Sequence, residues 1–203
     1  MKKLEERLGY TFRDGSLLKN ALTHSSYANE NRAEGYSSNE RLEFLGDSVL
    51  GVVTAEYLFA VTPPLPEGRM TKLRAELVCE TALHAVALEL ELGKYIRLGR
   101  GEERTGGRER TSILADAVEA VIAAMYLDGG FEAAKNFILT RVLEGADVKC
   151  EPAGDYKTEL QELVQQTPGS ALTYEILSET GPDHDKSFSF RVLLNGEEIG
   201  RGS

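Results

Sequence analysis

The chain has 203 residues, long enough for one large hydrophobic core and a smaller second one. Hydrophobic residues make up 41% and charged residues 28%, which excludes a disordered chain. The net charge of −10 argues against a simple polyanion binder, although residues 151–203, with 4 basic and 10 acidic side chains, carry more of it than residues 1–150, with 19 and 23.

The N-terminal stretch Met1-Lys-Lys-Leu-Glu-Glu-Arg7 has no apolar run of a secretory signal. No segment reaches the roughly 18 apolar residues of a membrane-spanning helix. Cys79 and Cys150 are too few and too far apart for a disulfide framework or a zinc site of their own. These features predict a reduced, cytoplasmic protein with no membrane partner.

Apolar spacing and breakers predict a mainly α first part, with helices near 2–8, 15–28, 38–61, 69–91, 111–127 and 130–144. Thr62-Pro-Pro-Leu-Pro-Glu-Gly68 interrupts the third and fourth, because proline cannot continue a helix. Gly99–Arg110 reads as a long polar loop, and a loop of that length within a helical domain is more often functional than incidental. Its arginines, with Arg97, Arg100, Arg104, Arg108 and Arg110, are candidate phosphate contacts, while Glu102, Glu103 and Glu109 dilute the charge.

The pattern changes near Asp147–Gly154. A helix is predicted over Asp155–Gln166, then strands over Leu172–Leu177, Ser187–Leu194 and Glu198–Arg201. Asn195-Gly196 between two apolar runs predicts a tight hairpin. The boundaries are a first domain over 1–149 and a second, α+β domain over 153–203.

Two helices carry the chemistry. In Asn39–Leu50, Glu40, Glu43 and Asp47 fall within about 60° of one another around the helix axis. Three carboxylates on one stripe repel unless a cation neutralises them. Ser37 and Glu40 also fit a capping box, which gives Glu40 a structural role of its own.

The run Ser112–Leu127 is apolar on nearly every side, so the helix is expected to be buried. Asp116 and Glu119 are its only charges, and burying ionised carboxylates is costly without a partner. An ion pair to Arg41 or Lys72 would satisfy them; so would a metal. Oxygen-only ligands suit a hard cation such as Mg2+. Such a site is competent for phosphodiester hydrolysis.

The run Glu40-Arg-Leu-Glu-Phe-Leu-Gly-Asp-Ser48 resembles the signature of bacterial ribonuclease III. Asn20–Glu30 before it and Ser112–Ala120 after it are similar to that family's flanking motifs. Asp155–Glu162 and Gly181–Phe188 resemble the first helix and hairpin loop of a double-stranded-RNA-binding domain. The resemblance covers essentially the whole chain, in order.

It implies an all-helical endonuclease domain acting as a homodimer, followed by a small α-β-β-β domain. The activity implied is Mg2+-dependent cleavage of double-stranded RNA, with Mn2+ able to substitute. The products would be staggered ends with 5′-phosphate and 3′-hydroxyl groups, in rRNA precursor processing and mRNA turnover. On the matching positions, Glu43, Asp47, Asp116 and Glu119 would bind metal, with Asp47 and Glu119 catalytic. Glu40 and Glu67 would be accessory acids, and Phe44 would project into the partner subunit.

Thr158, Gln161, Glu162 and His184 would contact RNA, a duplex recognised by shape through its minor groove. The family's domain closes with a further helix, whereas this sequence ends at Gly200-Arg-Gly-Ser203, so the resemblance implies a second domain cut short. The competing reading is a protein that binds duplex RNA without cutting it. The intact acidic quartet favours cleavage.

Overall fold

The computed structural model describes residues 1–145, 160–161, 163–164, 167, 169–180 and 187–202. The chain divides into two compact units, Met1–Lys149 and Cys150–Ser203.

The first unit is helical throughout. It comprises α1 (Lys2–Leu8), α2 (Gly15–Ala21), α3 (Ser25–Glu30), α4 (Glu40–Phe59), α5 (Glu67–Leu77), α6 (Glu80–Glu89), α7 (Arg100–Arg104), α8 (Thr111–Gly129) and α9 (Phe131–Phe137), which runs on into a π-helical turn at Ile138–Val142. Helix α8 is the axis of this unit. Its apolar composition is explained by burial on almost every side, with α2, α4, α6 and α9 packed around it. Val118, Ala120, Val121, Ile122, Ala123, Ala124 and Met125 are fully enclosed.

The structure corrects the expected helix boundaries in three places. The helix expected over 15–28 is two, because Leu22–His24 leave the helical path. There Thr23 pairs with Arg97 in a short bridge, and the His24 ring caps α3 by accepting from the Ser26 amide. The helix expected over 69–91 breaks at Val78–Cys79, where Cys79 turns to extended backbone.

The segment expected as a polar loop contains α7 and a 3-10 turn at Gly107–Glu109. Arg108 holds it together. Its guanidinium donates to the carbonyls of Gly93 (2.7 Å) and Ile96 (2.9 Å) and makes a two-pronged pair with Glu103.

In the second unit, Leu160, Gln161, Leu163 and Val164 are helical. Strands β1 (Leu172–Thr180), β2 (Ser187–Leu194) and β3 (Glu197–Gly202) form an antiparallel sheet in that order. Positive φ at Asn195 (50°) and Gly196 (87°) supplies the hairpin turn read from the Asn-Gly pair. Arg191 on β2 reaches Glu175 on one neighbour and Glu198 on the other, which ties the strands laterally. Among the described residues no helix is long and apolar enough to cross a membrane.

Candidate functional site

The site lies on the seam between α4 and α8. Both helices bury apolar faces there: Leu42, Val49, Leu50 and Val53 from the first, Ala115, Val118 and Ile122 from the second. What brings them unusually close is Gly46. A Cβ built on it would stand 1.8 Å from the main-chain oxygen of Glu119 and 2.5 Å from its carbonyl carbon. The two backbones therefore touch at this point, and any larger residue would push the helices apart.

Side chains one turn either side of that contact are forced together. Carboxylate oxygens of Glu43, Asp116 and Glu119 all come within 4.8 Å of one another. All three residues are partly buried. Among the described residues no Lys or Arg forms an ion pair with any of them, so Arg41 and Lys72 do not provide the pairing considered from the sequence.

The electrostatic consequence is large. Burial, then the charges of Asp47, Asp116 and Glu43, push the Glu119 carboxyl up to about 7. Burial raises Glu43 as well, followed by the charges of Asp116, Glu40 and Asp47. Asp116 is raised by burial and Glu80, against a smaller lowering by His24. Three carboxyls that all resist ionisation in a partly buried seam make it a candidate functional site.

The remaining predicted residues fall into distinct places. Asp47 is exposed, outside the tight trio but near enough to act on both Glu119 and Glu43. Glu40 opens α4, exposed, and accepts a hydrogen bond from the Ser38 hydroxyl (2.8 Å), two residues back rather than from the Ser37 of the expected capping box. Glu67 opens α5 and accepts from the Thr71 hydroxyl (2.9 Å). Phe44 is 78% exposed on the outer side of α4.

Of the predicted RNA contacts, Gln161 is exposed and helical, while Thr158, Glu162 and His184 lie outside the described residues. Arg108 is not a free surface cation. Its four hydrogen bonds make it the internal brace of its own segment. Arg110 is likewise paired, with Glu102. The guanidinium groups of Arg97 and Arg100 form no ion pair among the described residues, while the Arg100 amide donates to the Glu30 carboxylate (3.0 Å).

Two residues beside the site were missed. Glu80 starts α6 and repels Asp116, and nothing in its sequence context distinguishes it from other helix-opening acids. His24 is fixed by a relay in which the Gly99 amide donates to the Ser26 hydroxyl (2.9 Å). That hydroxyl in turn meets His24 Nδ1 (2.8 Å), which also faces the Ser26 amide (3.3 Å). The Thr-His-Ser-Ser run was the available signal.

The chain matches the ribonuclease-III-like family over residues 14–146 and the double-stranded RNA binding motif over residues 156–203. It is 50% identical over 203 residues to Ribonuclease 3 of Desulforamulus reducens, spanning 99% of this chain and 82% of that protein. Against Ribonuclease 3 of Pelotomaculum thermopropionicum it is 52% identical over 202 residues, spanning 98% and 84%.

Among solved structures it resembles the nuclease domain of ribonuclease III from Campylobacter jejuni, described for flexibility in a region involved in dimer formation. The identity there is 45% and the TM-score 0.66, covering 72% of this chain and 99% of that one. The chain belongs to the ribonuclease III family of endoribonucleases.

Proposed function

We infer that the seam is a divalent-cation site for hydrolysing phosphodiester bonds in double-stranded RNA. One observation carries this reading: three carboxylates converge in a partly buried seam where, among the described residues, no Lys or Arg pairs with them. Their oxygen-only donor set fits a hard cation, Mg2+ or Mn2+, that keeps part of its water shell. When bound, such an ion supplies Lewis acidity towards a phosphate oxygen and lowers the pKa of water at the site.

The chain's own residues do the rest. Glu43, Asp116 and Glu119 hold the ion from two helices locked at Gly46. In the metal-free chain at neutral pH, Glu119 retains a share of its proton, which cation binding displaces. Asp47, at the exposed rim, supplies further negative charge beside the trio. Glu40 and Glu67 are accessory acids that open α4 and α5.

The double-stranded RNA binding motif matched over residues 156–203 supports duplex RNA as the substrate. The proposal extends to products with 5′-phosphate and 3′-hydroxyl staggered ends and to roles in rRNA precursor processing and mRNA turnover, as the sequence resemblance implies. The domain division is a nuclease and dimerisation domain over 1–149 and an RNA-binding domain over 153–203.

The outer stripe of α4 supports a homodimer. Phe44, Val52 and Phe59 are 78%, 58% and 79% exposed and lie within about 80° of one another around the helix. An apolar stripe of this kind is self-complementary across a two-fold axis. The exposed free thiol of Cys79 suits the reducing cytoplasm as the site of action.

The test is cleavage of a long RNA duplex with Mg2+, by the protein and by Glu119→Gln. Short fragments from the first and none from the second are expected. Equal activity in Glu119→Gln would remove the seam from the mechanism.

A further inference from the structure

A second polar site lies in the first unit, away from the carboxylates. A cavity of about 290 Å³ opens between α2 and the residues preceding α4, lined among others by Ser16, Lys19, Asn20, Tyr36, Ser37 and Arg97. Two of its lining groups are cations and none is a carboxylate. Neither Lys19 nor Arg97 forms an ion pair among the described residues, whereas Arg7, Lys94, Arg108, Arg110, Lys135, Arg191 and Arg201 all have carboxylate partners.

Arg97 is held in a way that leaves its charge unspent. Its guanidinium carbon lies 5.8 Å from the centre of the Tyr27 ring and 5.5 Å from that of Tyr36, and the two rings pack edge to face at 5.4 Å. Aromatic faces orient a guanidinium without neutralising it or using its N–H donors. The backbone is pinned as well: the Arg97 amide donates to the Leu22 carbonyl (2.8 Å), and the Arg97 carbonyl accepts from the His24 amide (3.1 Å).

Asn20 spends its side-chain amide on the carbonyls of Ser37 and Ser38, which fixes the opposite wall. The result is a pocket with one oriented fork of donors and one exposed ammonium. A tetrahedral oxyanion is what such a pair recognises.

We propose that this Lys19–Arg97 cavity is a phosphate-binding subsite for the backbone of the RNA duplex, with Tyr27 and Tyr36 as the positioning residues of Arg97. This rests on the duplex-RNA reading of the chain. It gives the first unit a grip on RNA that does not depend on the second.

The experiment is equilibrium binding of the full chain to an RNA duplex in EDTA, where no cleavage occurs, across a series of salt concentrations. Lys19→Gln, which removes an exposed side chain, and Arg97→Ala should each weaken binding about tenfold. Each should also flatten the slope of log affinity against log salt by about one unit. Arg97→Lys keeps the charge but loses the stacked fork, so it should weaken binding while leaving the slope unchanged. Tyr36→Leu should weaken binding less than Arg97→Ala, also with an unchanged slope.

Unchanged affinity and slope in Lys19→Gln and Arg97→Lys, with the parent protein binding normally, would overturn the subsite alone. Failure of the parent protein to bind any duplex would overturn the duplex-RNA reading and the subsite with it. A parallel titration with inorganic phosphate separates the sources. Saturable phosphate binding that Lys19→Gln abolishes, without any change in duplex affinity, would assign the cavity to a free anion and contradict the proposal.

Discussion

The α4–α8 seam and the segment from Arg97 to Arg110 handle charge in opposite ways. At the seam, carboxylates are driven together without a cation, and burial then raises the cost of each negative charge. In the arginine segment, charges of both signs are abundant and two of the five arginines are paired: Arg108 with Glu103, Arg110 with Glu102. A charge that the fold satisfies internally is architecture. One that the fold positions and leaves unsatisfied is available for a ligand. That contrast is why we propose the seam and Arg97, rather than Arg108, as ligand sites.

The largest effect should come from the contact that builds the seam. Gly46→Ala places a methyl group against the Glu119 backbone, where no rotamer change can relieve it. A loss of about 3 kcal/mol or more is expected in urea unfolding, because a backbone clash is costlier than ordinary overpacking. Cleavage should be lost even at temperatures where the variant is folded. Wild-type stability in Gly46→Ala would mean that the helices are not locked there.

Next in size is the pair Arg108→Ala and Arg100→Ala. The first removes the brace from two carbonyls and should cost about 1–2 kcal/mol. The second removes an exposed guanidinium that forms no ion pair among the described residues and should leave the melting temperature unchanged. Equal costs would erase the distinction between paired and free arginines.

A further effect concerns pH. In EDTA, the folded Glu119 carboxyl titrates near 7 against an ordinary value of 4.5, so between those values the folded chain binds more protons than the unfolded one. Stability should therefore fall as pH rises from about 4.5 to about 7. Groups lowered in the fold, such as Asp128 and Glu103, act in the opposite sense but below that window. Subtracting the Glu119→Gln melting curve from that of the parent isolates the contribution. A flat difference would show that the seam does not resist ionisation.

Much of the seam was legible in the sequence, and the reasons are specific. Asp116 and Glu119 stand out because every neighbour on α8 is apolar, so two charges there demand an explanation. Glu43 and Asp47 needed the surrounding signature, since a stripe of acids on a half-exposed helix is ordinary. Gly46 was present in that same signature, yet its meaning depends on the backbone opposite it, which no pattern on α4 reveals.

The helix breaks at Leu22–His24 and Val78–Cys79 were hidden for a similar reason. No glycine or proline marks them, and the bridge from Thr23 to Arg97 is a tertiary event. Arg108 looked like a phosphate contact because composition shows charge, whereas pairing is a property of the fold. Arg97 could not be separated from it until the two tyrosines were placed.

The central claim is that the seam is held open for a divalent cation. Its most direct test is the melting temperature at neutral pH with EDTA and with saturating Mg2+, for the parent chain and for Glu43→Gln with Glu119→Gln. Mg2+ should raise the melting temperature of the parent, since ligand bound only by the folded state stabilises it. The double variant should already melt higher than the parent in EDTA, because like-charge repulsion is relieved, and should not respond to Mg2+. An identical Mg2+ response in both proteins would contradict the account.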